Sequence, residues 1–223
     1  MSSPILTFVL FSGDPMQFVI NALYLIPALL VGLIGHELSH AAVAVARGDE
    51  TPRLDGRLSL NPSHHLDPLG SIAVLLVGFG WAKPVRINPY RMRGPFDAAL
   101  VAVAGPLANL VLAVLFSIPI KLGLSAGTFD VDWPPWRLLL VAFYLNVALA
   151  VLNLLPIPPL DGYNFFATLF RRRFGALFLW IDKNQQVIML AFVLLLLLTG
   201  ILRFIYLPVA TLILRLPPFP VGT

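Results

Sequence analysis

From about Phe18 to Ala46 the chain is an apolar run broken by one cluster of ionisable side chains, His36, Glu37 and His40. A run of this length reads as a membrane-crossing helix, because roughly 20 predominantly apolar residues span the hydrocarbon core. An ionisable group near the bilayer centre costs on the order of 2.5–3.5 kcal/mol on insertion scales, so a partner that offsets the cost is expected. Residues four apart share one face of an α-helix, which lets His36 and His40 aim their ring nitrogens at a single ion. Glu37 stands beside the first of them, close enough to touch a water on that ion. The segment His36-Glu37-Leu38-Ser39-His40 therefore points to zinc hydrolase chemistry inside a membrane. The bland alternative, a Glu/His pair on a solvated face, is weak here because the flanking face is apolar. Gly32 and Gly35, just before the motif, leave room for a packed neighbour or a substrate.

Composition agrees with a membrane location. The 223 residues are 58% hydrophobic and 12% charged, whereas soluble domains carry about 25% charged residues. The chain has no cysteine, which excludes disulfides and thiolate zinc sites and leaves His and carboxylate as the strong ligands. The formal charge of +4 reads as membrane topology rather than nucleic-acid binding, since the basic residues border apolar segments. The N-terminus lacks a charged region and a small-residue cleavage site, so the first helix is expected to be retained.

These patterns predict an all-α polytopic membrane protein forming a single membrane-embedded domain over 1–223. It would have about four to six membrane helices, a re-entrant segment and short β-strands at the cytoplasmic interface. The first helix covers about Met16 to Arg47, with a kink expected at Pro27. The second covers about Phe96 to Leu122, and the third about Trp136 to Leu155, ending at Pro156-Ile157-Pro158-Pro159. Gln185 to Leu202 reads as the clearest span, with a short final helix in the tail from Arg203. Arg53 to Leu60 and Lys83 to Asn88 alternate loosely, as short strands do. Leu66 to Trp81 is apolar but about half a span long and contains Pro68, Gly70, Gly78 and Gly80, which suggests re-entry. Residues 163–183, with Arg171-Arg172-Arg173, read as a surface helix at anionic headgroups.

Lys and Arg set the orientation. The segments between the first and second helices and between the third and fourth together hold eleven, against two between the second and third. The positive-inside rule then puts the N-terminus outside and residues 48–95 in the cytoplasm. His40 lies seven residues before Arg47, roughly 10 Å from that boundary along a helix. Asp161 falls at a similar depth on the same side. The expected location is the plasma membrane, multi-pass, in a prokaryotic inner membrane with the site towards the cytoplasm.

A catalytic zinc keeps three protein ligands and one open position. Candidates for the third ligand are His64, His65, Asp67, Asp161 and Asp182. Asp161 is preferred because it ends a spanning helix within a proline-rich break, which a membrane tolerates where it lines protein or a water-filled cavity. The competing reading makes Asp161-Gly162 a turn at the membrane surface.

Several motifs now stand in order: His36-Glu37-Leu38-Ser39-His40; Asn61-Pro62 with His65-Leu66-Asp67-Pro68; Ala104-Gly105-Pro106 with Asn109; and Asn153-Leu154-Leu155-Pro156 through Leu160-Asp161-Gly162. Over about residues 16–165 the chain resembles the site-2 protease family of intramembrane zinc metalloproteases. The resemblance implies one zinc per chain held by His36, His40 and Asp161, with Glu37 as general base, in a core of three helices. It implies membrane-spanning protein substrates, cut within or near their transmembrane segments after trimming by another protease, and no nucleic-acid partner. Asn153 resembles a family Asn near the site, offered as a substrate or oxyanion contact or else an interhelical hydrogen bond. Asn109 reads as packing glue between helices, and His65 as structural or near the metal. Tyr163 stands where many members have a second glycine. The length leaves no room for an inserted PDZ or appended nucleotide-sensing domain, so a core-only member is expected. The alternative function is a non-proteolytic metal-binding membrane protein or divalent-metal transporter.

Overall fold

The computed structural model describes residues 15–70, 73 and 82–215. Three long helices organise it: α1 (Pro15–Ala46), α3 (Asp97–Ser125) and α4 (Pro134–Asn153). Between α1 and α3 lies the single helical turn α2 (Thr51–Leu54). After α4 come α5 (Asp161–Phe170), α6 (Gly175–Lys183), α7 (Gln185–Thr199) and α8 (Leu202–Arg215). α1, α3 and α4 are each long and apolar enough to cross a membrane. At 1.5 Å per residue the 32 residues of α1 reach about 48 Å, and α1 runs through Pro27 as one helix.

α3 packs against both α1 and α4, and α1 also touches α4. Its inward face is built from small residues, among them Ala102, Gly105, Ala113 and Ser117, all buried. Its other face exposes Leu107, Val111, Val114, Leu115 and Ile118, as a lipid-facing surface does. Glycine lets α1 approach its neighbours: a Cβ at Gly32 would meet Leu149 and Asn146 of α4, and one at Gly35 would meet Leu112 of α3. The room expected at these two glycines is taken by packed neighbours. On the far side of α4, Leu202, Tyr206, Ala210 and Ile213 of α8 join Ala113, Ile120, Phe143 and Val147 in the largest apolar cluster.

Two expectations need correction. Gln185 to Leu202 is not the clearest span: α7 has 15 residues, short of the roughly 20 a crossing needs. It reaches that length only together with α6, across a 71° bend. The helical content matches three spans, or four if the bent pair counts as one.

The short strands are also absent among the described residues, where the sole β feature is an isolated antiparallel bridge between Leu66 and Ala82. Pro52 sits in the first turn of α2 and nucleates a helical turn where alternation suggested a strand. Asn61 and Asn88 then cap 3₁₀ turns at Pro62–His64 and Pro89–Arg91. The carbonyls that a ladder would have used go to a side chain instead. Buried Arg57 donates to His64 O (2.5 Å), Lys83 O (3.0 Å) and Pro84 O (2.9 Å). Most of the expected re-entrant stretch, residues 71–72 and 74–81, lies outside the described residues.

Candidate metal centre

The helical spacing of four turns His36 and His40 of α1 towards α3, where both are buried. α1 and α3 run antiparallel, and every fourth residue of α3 meets the motif. His40 Nδ1 lies 2.7 Å from Val101 O and His36 Nδ1 lies 2.7 Å from Asn109 Oδ1, with Gly105 between the two. A backbone carbonyl only accepts, so His40 carries its proton on Nδ1. Asn109 is oriented by its own amide, which donates to Gly32 O (3.0 Å) and to Asn146 Oδ1 (2.9 Å). Its Oδ1 therefore accepts from His36 Nδ1–H. Asn146 in turn donates to Ala142 O (2.8 Å). In its neutral form each imidazole is thus held as the tautomer whose Nε2 offers a lone pair.

Those lone pairs converge. His36 Nε2 and His40 Nε2 are 3.0 Å apart, and Asp161 Oδ2 lies 3.0 Å from the first and 3.2 Å from the second. Asp161 is the first residue of α5, just beyond the proline-rich break after α4. Gly162 is what lets it reach inward, because a Cβ there would collide with the carbonyl oxygens of Leu154 and Leu155. Three electron-pair donors packed this closely repel one another unless a cation lies among them. Tetrahedral ligands at 2.0–2.1 Å from zinc stand about 3.3 Å apart, so the donor set and its spacing fit that ion. Among the described residues this is the sole group of three His, Cys, Asp or Glu side chains able to hold a metal.

Glu37 is buried beside the centre, with its carboxyl in electrostatic reach of His36, His40, Asp161 and Arg57. The remaining candidate ligands are used elsewhere. His64 Nδ1 bonds Gly56 O (2.8 Å), His65 Nε2 bonds Ser59 O (2.6 Å), and Asp67 accepts from Gly70 N (2.8 Å). Asp182 accepts from Tyr163 and from Arg171. Asn153, the last residue of α4, donates to Leu149 O of its own helix (3.0 Å) rather than across to a neighbour.

Sequence reasoning left Asn146 out and gave Asn109 only the role of glue. Asn109 does join α1, α3 and α4, yet it also fixes His36. A signal was present: Asn146 and Asn153 lie seven apart, two turns along one face of an apolar helix.

Residues 128–199 match Peptidase family M50, a stretch that holds Asn153 and Asp161 but not the His36–His40 segment. The chain is 40% identical over 151 residues to a Bacillus subtilis protein named "Putative zinc metalloprotease YwhC", covering 63% of this chain and 66% of the relative. Over these stretches the chain is similar to the M50 family. The chain is also 35% identical over 156 residues to Rip2 of Mycolicibacterium smegmatis, covering 67% of this chain and 58% of that relative. MJ0611 of Methanocaldococcus jannaschii is 32% identical over 135 residues, covering 59% of this chain and 62% of the relative. Both relatives carry the same metalloprotease designation as YwhC. The chain spans under two thirds of the length of each of these relatives. No solved structure matches it. With its apolar helices and this similarity, the chain is an integral membrane protein.

Proposed function

We propose that this chain is an intramembrane zinc endopeptidase that hydrolyses peptide bonds within or near the transmembrane segments of membrane proteins. The observation that carries the reading is the convergence of His36 Nε2, His40 Nε2 and Asp161 Oδ2 inside an apolar helix core, with Glu37 buried alongside. His36, His40 and Asp161 are the three zinc ligands. Zinc bound there supplies a water of lowered pKa and polarises a carbonyl.

The chain's own groups do the rest. Glu37 takes the proton of the attacking water and delivers it to the leaving amide nitrogen. Val101 O and Asn109 keep the imidazoles from turning, so their lone pairs stay aimed as charge develops. Asn153 has two amide donors, one spent on Leu149 O, and the other is available to the carbonyl oxygen as it becomes negative. A substrate helix hides its amides in internal hydrogen bonds, so it unwinds locally before it is cut. With the bent α6–α7 pair counted as one span, the distribution of Lys and Arg supports an N-terminus outside and a centre near the cytoplasmic face of an inner membrane. The relatives' names, each beginning "Putative zinc metalloprotease", support this reading and do not favour metal transport.

The test is Glu37→Gln in the purified full chain, with a membrane-spanning test substrate in proteoliposomes. Zinc content should stay at one per chain while cleavage falls by at least about 100-fold, the scale of general acid–base catalysis. Cleavage that survives this change removes Glu37 as the base. Metal flux across the vesicle that survives it, without cleavage, favours the transporter.

A further inference from the structure

We infer that Gly105 is a positioning residue of the metal centre: its missing side chain is the space in which the ion sits between His36 and His40. The inference rests on the ligand assignment above. A Cβ built on Gly105 would lie 2.6 Å from His36 Nε2 and 2.7 Å from His36 Cε1, and would overlap His40 Nε2. Its three nearest neighbours are all imidazole atoms of the two histidines, with no part of the α1 backbone among them. The methyl group would therefore point at the gap that an ion bridging the two nitrogens occupies, since zinc stands 2.0–2.1 Å from each ligand nitrogen.

Flexible side chains usually yield to an added methyl, but these two are pinned from behind. His36 Nδ1 is held by Asn109 at 2.7 Å and His40 Nδ1 by Val101 O at 2.7 Å. Withdrawing either ring breaks a buried hydrogen bond. Asn109 cannot follow, because Gly32 O and Asn146 hold its amide. The α3 face is thus a three-part template at one-turn intervals: Val101 accepts from one histidine, Asn109 accepts from the other, and Gly105 stays empty between them. Helix propensity argues for alanine at such a position, so glycine there serves the centre rather than the helix.

The experiment compares wild type, Gly105→Ala and Gly35→Ala as full chains in detergent, with zinc per chain measured by mass spectrometry and retention followed against a chelator. Wild type and Gly35→Ala, whose Cβ meets just the end of the Leu112 side chain at 3.0 Å, should keep one zinc. Gly105→Ala should lose it, or release it at least about 10-fold more readily, the lower end of what perturbing a metal's supporting shell does. A melting-temperature cycle covers the case in which Gly105→Ala destabilises the fold. In a His36→Ala/His40→Ala background the same methyl should be neutral or stabilising. Stoichiometric, equally retained zinc in Gly105→Ala overturns the inference, as does equal destabilisation in the histidine-free background. A wild-type chain that binds no zinc overturns the ligand assignment itself, and the inference with it.

Discussion

The metal centre and the loop between α1 and α3 both bury charged or polar groups, and they satisfy them in opposite ways. In the loop the network is closed. Buried Asp49 accepts from Thr51 N (3.0 Å), Thr51 Oγ1 (2.6 Å) and Asn88 N (2.5 Å), and Arg57 spends its donors on three carbonyls. Among the described residues its one exception is His65 Nδ1, buried without a hydrogen-bond partner. At the centre every donor is turned outward to Asn109 or Val101, and three acceptors are left facing one another. Burial alone therefore does not mark a functional site. What marks it is a buried set that satisfies itself on one side and stays open on the other.

Three changes test that contrast. The largest effect is expected for Arg57→Met, which removes a buried guanidinium and strips three carbonyls of their donor, and should destabilise the protein by on the order of 3 kcal/mol. Thermal melts should show the loss while zinc per chain stays unchanged; a parallel loss of zinc would mean that the loop and the centre are one unit. Asn109→Leu should do the reverse. It removes the partner of His36 Nδ1 and should weaken zinc by about 10–100-fold in chelator competition, with a smaller change in melting temperature.

The smallest effect is expected for Asp49→Asn. Burial pushes the Asp49 carboxyl up, but the Thr51 hydroxyl and the Asn88 and Thr51 amides together hold it below the ordinary carboxylate range. A carboxyl lowered on folding stabilises above its unfolded pKa, about 3.9, and that contribution disappears as pH falls through the folded value. Wild type should lose melting temperature as pH drops below about 4, and Asp49→Asn should show a flatter acid limb from a slightly lower start. Identical acid limbs would remove Asp49 from the network's energetics.

Much of this contrast was legible in the sequence, unevenly. The limits of α1 and α3 fall within a few residues of expectation, because uninterrupted apolarity is a strong signal. His36 and His40 follow from helical spacing alone. Asp161 needed the proline break and the family resemblance, since no local pattern ties it to residues 121 positions earlier. Val101 could not be read at all: its contribution is a backbone carbonyl, which any residue there would supply. The apparent strands failed because alternation over Arg53 to Leu60 says nothing about whether a partner strand exists. Arg57 took that partner's place.

The separation of the ligands has a consequence for biosynthesis. His40 leaves the ribosome 121 residues ahead of Asp161, and His36 earlier still, an interval of roughly ten seconds at ordinary elongation rates. During that interval α1 is in place but the ligand set is incomplete. The chain is therefore made as an inert helix pair and becomes competent for metal only after α4 has been inserted and α5 has turned back towards α1. Under the proposed function, this order keeps the centre incomplete, and the chain unable to cut, until the helices that hold its ligands have come together.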